Sequence, residues 1–174
     1  MALGNIGPDV GPEAAAKLVW TMEKEFTAPV RQEAVIALGK LKPFAKESVP
    51  ALQKVLADPN FPLPAHAARS LWLLTDDPNG ALPMLIKSLD DLTHFQLAAE
   101  VLGEMGPEAA PAVDRLIQAL EERDPDDRAA AALTLARIGP SAAKANEPLR
   151  KLLKDEQAHV REAAQTALTS LAGE

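Results

Sequence analysis

The chain has 174 residues, 47% of them hydrophobic and 25% charged, the composition of a folded globular domain rather than a disordered segment. Eighteen Lys and Arg against 25 Asp and Glu leave a net charge of −7, which disfavours nucleic acid as the main partner, and the absence of Cys excludes disulfides, thiolate nucleophiles and Cys-ligated metals. No run approaches ~18 apolar residues, and the first thirteen residues lack a basic head before an apolar stretch. Neither a membrane span nor a signal peptide is therefore expected, the chain reads as soluble, and its compartment stays open.

With 33 Ala, no Tyr and 3% aromatic residues, the composition favours packed helices over sheet. In chain order, apolar spacing predicts helices near 12–25, 30–41, 47–57, 65–74, 80–90, 94–105, 109–122, 127–138, 142–154 and 158–171. Every second one closes on the same short signature: Leu3-Gly4-Asn5-Ile6-Gly7-Pro8 first, outside the helix run, then Leu38-Gly39-Lys40-Leu41-Lys42-Pro43, Leu102-Gly103-Glu104-Met105-Gly106-Pro107 and Leu135-Ala136-Arg137-Ile138-Gly139-Pro140. Leu71-Trp72-Leu73-Leu74 and Leu168-Thr169-Ser170-Leu171 are weaker copies. The leading Leu falls at 3, 38, 71, 102, 135 and 168, in steps of 35, 33, 31, 33 and 33.

The Gly-Pro pairs are helix stops, with Gly expected in the left-handed conformation and Pro unable to continue the helix. We call the helix that carries the signature the first helix of a repeat, and the one after the stop the second. Second helices end near Asp58, Asp91, Glu122 or Asp155, and Thr93 with Gln96 has capping-box spacing at the start of a first helix. Neither helix of a pair can bury its apolar stripe alone, so neighbours must share a continuous core. The reading is all-α: an α-solenoid forming a single domain over 1–174, with units near 1–29 (partial), 30–64, 65–93, 94–126, 127–157 and 158–174 (partial). Residues 1–8 read as the tail of a first helix and 158–171 as a first helix without its partner, while Leu18, Val19, Trp20 and Met22 leave an apolar terminal helix. A segment of a longer chain, or pairing through an end, is the expectation from those features.

Ala34-Val35-Ile36-Ala37-Leu38-Gly39, Val49-Pro50-Ala51-Leu52, Asp155 and Val160-Arg161-Glu162-Ala163-Ala164 resemble HEAT repeats, in particular the short phycobilisome-lyase-type repeat found in many bacterial proteins. The resemblance covers essentially the whole chain. It implies a right-handed superhelix of stacked antiparallel helix pairs, with second helices lining the concave side. It also implies that an acidic residue six positions before an Arg ties adjacent turns. Glu122 with Arg128 and Asp155 with Arg161 match, Glu25 with Arg31 has the spacing, and Asp58 meets Pro64 instead. Tetratricopeptide repeats are disfavoured by the lack of paired bulky aromatics, and ankyrin repeats by the lack of a Thr-Pro-Leu-His opening.

Enzymes built on such repeats leave signatures that are missing here. The three His are followed by Ala67, Phe95 and Val160, not by the Glu of His-Glu di-iron hydroxylases. A charge of −7 with two Trp does not suit the basic groove of HEAT-like DNA glycosylases. His66, His94 and His159 lie 5, 8 and 9 residues before their marker Leu and form no row. Asp76-Asp77, Asp90-Asp91 and Asp126-Asp127 fall in loops or helix starts, where the helix dipole favours anions. No catalytic residue, metal site or cofactor is expected.

Aligning second helices on Leu52, Leu85, Leu116 and Leu149 puts Lys54, Lys87, Gln118 and Lys151 at one register, with Arg150 and Arg115 able to widen the row and Asp114 and Glu147 opposing it. Steps of ~8–10 Å between helices would give a row long enough for an extended acidic peptide, against the alternative of an ordinary solvated face. The irregular link Asp58-Pro59-Asn60-Phe61-Pro62-Leu63-Pro64 and Trp72 offer Phe61 and Trp72 either as an exposed aromatic anchor or as plugs for imperfect stacking. The expected function is a non-enzymatic scaffold that binds a partner protein or fused domain on the concave surface. An accessory or regulatory domain of a larger enzyme is the alternative, and nucleic-acid backbone binding a third reading.

Overall fold

The computed structural model describes residues 11–24, 27–41, 45–58, 61–122 and 124–172. The described residues are helices joined by turns, in two compact units, residues 1–84 and 85–174. The first unit holds α1 (Gly11–Lys24), α2 (Ala28–Lys40), α3 (Val49–Leu56) and α4 (Pro64–Thr75). The second holds α6 (Phe95–Met105), α7 (Val113–Ala119), α8 (Pro125–Ile138), α9 (Asn146–Leu152) and α10 (Ala158–Ala172), while α5 (Leu82–Ser88) carries the boundary. The predicted signature starting at Leu3 lies outside the described residues, as do Glu25 and Pro43.

The period is built into the packing. Within the first unit α2 packs against both α1 and α4, and α3 against α4; within the second α8 packs against α6, α10 and α7, and α9 against α10. Marker residues Leu38, Leu71, Leu102 and Leu135 are at most 2% exposed. The second-helix residues Leu52, Leu85, Leu116 and Leu149 are fully buried. Each such Leu loses its whole apolar surface to water, a gain of about 2 kcal/mol apiece before ordering costs.

Where the second helices begin, the structure corrects the expectation. Regular α-helix over 109–122 and 142–154 shrinks to α7 and α9, each preceded by a 3-10 stretch, Gly106–Ala112 and Gly139–Ala145. A 3-10 helix eclipses residues three apart. Ala109 and Ala112 in one stretch, and Ala142 and Ala145 in the other, are all fully buried, so each stretch aims one narrow Ala stripe at the core. The stops also differ in detail. Gly106 (φ 59, ψ −131) and Gly139 (φ 73, ψ −144) have the positive φ expected but not the left-handed ψ. Theirs is the geometry of the first central residue of a type II′ turn, open to Gly and costly for any residue with a Cβ. The left-handed cap occurs instead at Asp76 (φ 52, ψ 21), whose N–H donates to the Trp72 carbonyl at 2.8 Å.

Candidate functional site

The side-chain register of the second helices decides what they offer to solvent. Because Leu52, Leu85, Leu116 and Leu149 point inward, the residues two positions on turn away from the core, and Lys54, Lys87, Gln118 and Lys151 are all exposed. Lys54, in the first unit, lies 3.3 Å from the Glu23 carboxylate. In the second unit Lys87 and Lys151 have no ion-pair partner among the described residues. Arg150 pairs with Glu147 one turn earlier on α9, and Asp114 with Lys144 at 2.6 Å, so each cation is offset by an acid close by. Arg115 does not widen the row. Its guanidinium is drawn to Asp90 (2.7 Å), the Leu89 carbonyl (2.6 Å) and Glu122 (3.2 Å), joining the ends of two second helices.

Of the two aromatic candidates, Phe61 is corrected by its burial: at 6% exposure it is a plug, with the Arg31 guanidinium 4.8 Å over its ring, rather than an exposed anchor. Arg31 is held in turn by the Met22 carbonyl at 2.9 Å. Trp72 is half-buried, at the register where Gly39 and Gly103 stand in neighbouring first helices. Phe95 is likewise buried, at 2% exposure.

Acid and Arg do tie successive repeats, by a route the spacing does not reveal. Arg128 donates to the backbone carbonyl of Glu122, six residues earlier, and not to its carboxylate. Its Nε and Nη2 reach forward to both oxygens of Asp155 at 2.9 and 3.0 Å, a bidentate pair spanning 27 residues. Arg161 repeats the backward half, donating to the Asp155 carbonyl at 2.7 Å. The Arg128 hydrogen bonds hold the Asp155 carboxyl below the usual carboxylate range, helped by the Gln157 N–H. Asp91, Asp124 and Asp77 likewise accept the N–H two residues on, at 2.8, 2.9 and 3.0 Å, which accounts for the acids at these three turns. The Thr93 hydroxyl and N–H, with His94, lower Asp91 to about 2.

The capping box expected from Thr93 and Gln96 is not formed. Thr93 turns back to Asp91 at 2.6 Å, while the Gln96 amide donates to Asp127 at 2.6 Å, from one first helix to the next. Asp127 is 6% exposed, and burial pushes its carboxyl up against the pull of Gln96, with Asp124, Glu122 and Asp126 adding to the rise. Three hydroxyls unrecognised in the sequence also bridge neighbouring first helices: Ser70 to the Val35 carbonyl (2.7 Å), Thr134 to Ala99 (2.9 Å) and Ser170 to Ala136 (2.7 Å). Their signal is a small hydroxyl residue directly before the marker Leu, in Ser70-Leu71 and Thr134-Leu135.

Histidines follow the structural pattern. His94 Nδ1 sits 3.0 Å from Thr93 Oγ1, and His159 Nε2 lies 3.2 Å from Asp126. Among the described residues no three His, Asp or Glu are placed to hold a metal ion, and no helix is long and apolar enough to cross a membrane.

Stacked helix pairs at a 33-residue spacing, tied by hydroxyl and Arg bridges, define an all-α helical-repeat protein of solenoid type. HEAT repeats match residues 15–97 and 113–174, most of the chain, and the chain belongs to the HEAT-repeat family. Repeats of this family generally serve as protein-interaction scaffolds on a fold that is typically non-catalytic. Among solved structures the chain is similar to the crystal structure of an engineered protein, a structural-genomics target, with a TM-score of 0.60 and 26% identity over 96% of this chain and 85% of that one. No curated protein matches it.

Proposed function

We propose that the chain is a non-catalytic interaction module whose second helices receive an acidic segment of a partner protein. The observation that carries this reading is the two-residue offset from fully buried leucines. It holds Lys87 and Lys151 outward in the second unit, neither engaged by a carboxylate among the described residues. Gln118 adds a neutral donor at the same register of the second unit. Side chains fixed by helix packing lose little freedom when a ligand arrives, so a modest set of contacts suffices for useful affinity. The test is fluorescence anisotropy with a labelled Glu-rich peptide of roughly a dozen residues at low and physiological salt. Lys87→Glu/Lys151→Glu should weaken binding at least ~5-fold, as expected when two exposed ion pairs become repulsions. Equal binding by the variant, with an unchanged thermal melt, would overturn the proposal.

A further inference from the structure

A second surface lies on the first helices of the second unit, with the opposite electrical character. A groove runs between α6 and α8, one part lined by Leu92, Gln96, Asp124, Asp126, Asp127 and Leu133, the adjoining part by Leu97, Glu100, Thr134 and Arg137. Gln96, Ala130 and Leu133 line both parts, so the groove is continuous. Its apolar content is unusual for a solvent-facing seam. Leu92 is 83% exposed and Leu133 41%. Leu133 stands two residues before the buried marker Leu135, about 200° around the helix, and is left on the outer side.

Charge selects the occupant. Four carboxylates line the groove, Asp124, Asp126 and Asp127 at one end and Glu100 at the other, against one cation among the described lining residues, Arg137. At that end His159 stands 3.2 Å from Asp126, and the charge of Glu122 also reaches Asp127. Asp127 is 6% exposed and accepts from the neutral Gln96 amide, so one buried carboxylate borders the groove with no cation paired to it among the described residues. We propose that this groove docks a basic amphipathic segment of a partner protein, an apolar anchor seated between Leu92 and Leu133 with an Arg or Lys meeting the Asp124–Asp126–Asp127 end. The anchor gains by covering two exposed leucines. The cation offsets carboxylates already partly removed from water, where an ion pair is stronger than in bulk solvent. The acidic segment proposed for the second helices is repelled here, so the two surfaces sort partners by sign.

The probe is a labelled peptide of roughly a dozen residues alternating Leu with Arg and Lys, and its partner peptide has Glu in place of the cations. Anisotropy titration of the full chain is followed by backbone amide shift mapping. The basic peptide should bind, the acidic one should not occupy this groove, and perturbed amides should cluster on α6 and α8. Leu133→Ser, at a solvent-facing position where the melt should be unmoved, should weaken binding ~10-fold through lost apolar contact. Asp124→Asn/Asp126→Asn keeps the helix-start hydrogen bond and should weaken it ~5-fold. The control Glu33→Gln/Glu47→Gln removes the same net charge in the first unit and should leave affinity unchanged. Equal loss in control and groove variants would reduce the effect to general attraction and overturn the proposal. So would shifts that cluster away from Leu92, Asp124, α6 and α8, or a concentration-dependent dimer that the peptide competes away, since the occupant is then a second copy. Lys87→Glu/Lys151→Glu should leave the basic peptide bound, so this site and the second-helix reading fail separately.

Discussion

Gly39 and Gly103 occupy the same register of neighbouring first helices, yet they face different neighbours. A Cβ on Gly39 would come within 3.0 Å of the Ser70 backbone and 2.8 Å of the hydroxyl that bonds the Val35 carbonyl. A Cβ on Gly103 would meet the Arg137 side chain at 2.9 Å, the flexible arm of an exposed residue that can swing aside. Helix propensity favours Ala over Gly by up to ~1 kcal/mol at both positions. Gly39→Ala should therefore cost a net ~1–2 kcal/mol, as overpacking outweighs propensity, while Gly103→Ala should be neutral or slightly stabilising, both read by urea melts. Gly139→Ala isolates the backbone, since nothing lies within 4 Å of the added Cβ. A loss of ~1–3 kcal/mol there would measure the cost of φ 73 alone. The sequence marks all three as places needing a small residue or a stop. It does not reveal whether the neighbour is rigid backbone or a yielding side chain, because that depends on a partner 31 to 34 residues away.

Between elements, the strongest tie is the bidentate Arg128–Asp155 pair, with the two side chains 17% and 8% exposed. Removing one member leaves the other's charge half out of water, so Asp155→Ala should cost ~3 kcal/mol, and a double variant with Arg128→Met should recover part of the loss. The sign of the pH dependence follows from the lowered Asp155 carboxyl. Its contribution is complete above the ordinary value of 3.8 and is lost as pH falls through the lower folded value. Asp91, lowered to about 2, acts in the same sense, its own contribution being lost from about 4 down to 2. Asp127 acts oppositely: its carboxyl is raised by burial, so its contribution is present below 3.8 and lost as pH rises through the folded value. Urea titrations at stepped pH should show Asp155→Asn flattening the acid limb, and Asp127→Asn gaining stability at neutral pH but not in acid. Helix existence and repeat spacing were legible in the sequence because marker leucines recur on one face. The tie itself was misassigned to Glu122 with Arg128, because local spacing shows the six-residue link but not the carboxylate 27 residues ahead. Gln96 escaped for the same reason, its acceptor Asp127 lying 31 residues on.

At the scale of the molecule, a repeat chain draws its stability from each unit and its nearest neighbours, so most tertiary links join residues about one period apart. The bridges between first helices follow that rule, with Ser70–Val35, Thr134–Ala99 and Gln96–Asp127 separated by 35, 35 and 31 residues. Function was less legible than fold because the repeat constrains its buried positions, whereas charge at exposed ones is free to vary. Only the out-of-phase Leu133 and the outward lysines betray a surface. The second unit contains a full set of such links: α8 between α6 and α10, the Arg128–Asp155 tie and two hydroxyl bridges. A fragment spanning residues 77–174, which keeps α5 whole and its Asp77 cap on Asn79, should therefore fold by itself. It should give a helical circular-dichroism spectrum and a single sigmoidal urea transition, with a slope below that of the full chain in proportion to the smaller surface exposed. It should also retain the basic-peptide affinity of the full chain, because every residue lining the α6–α8 groove lies within it. A broad, non-sigmoidal melt would show that the local links of this unit do not suffice to hold it.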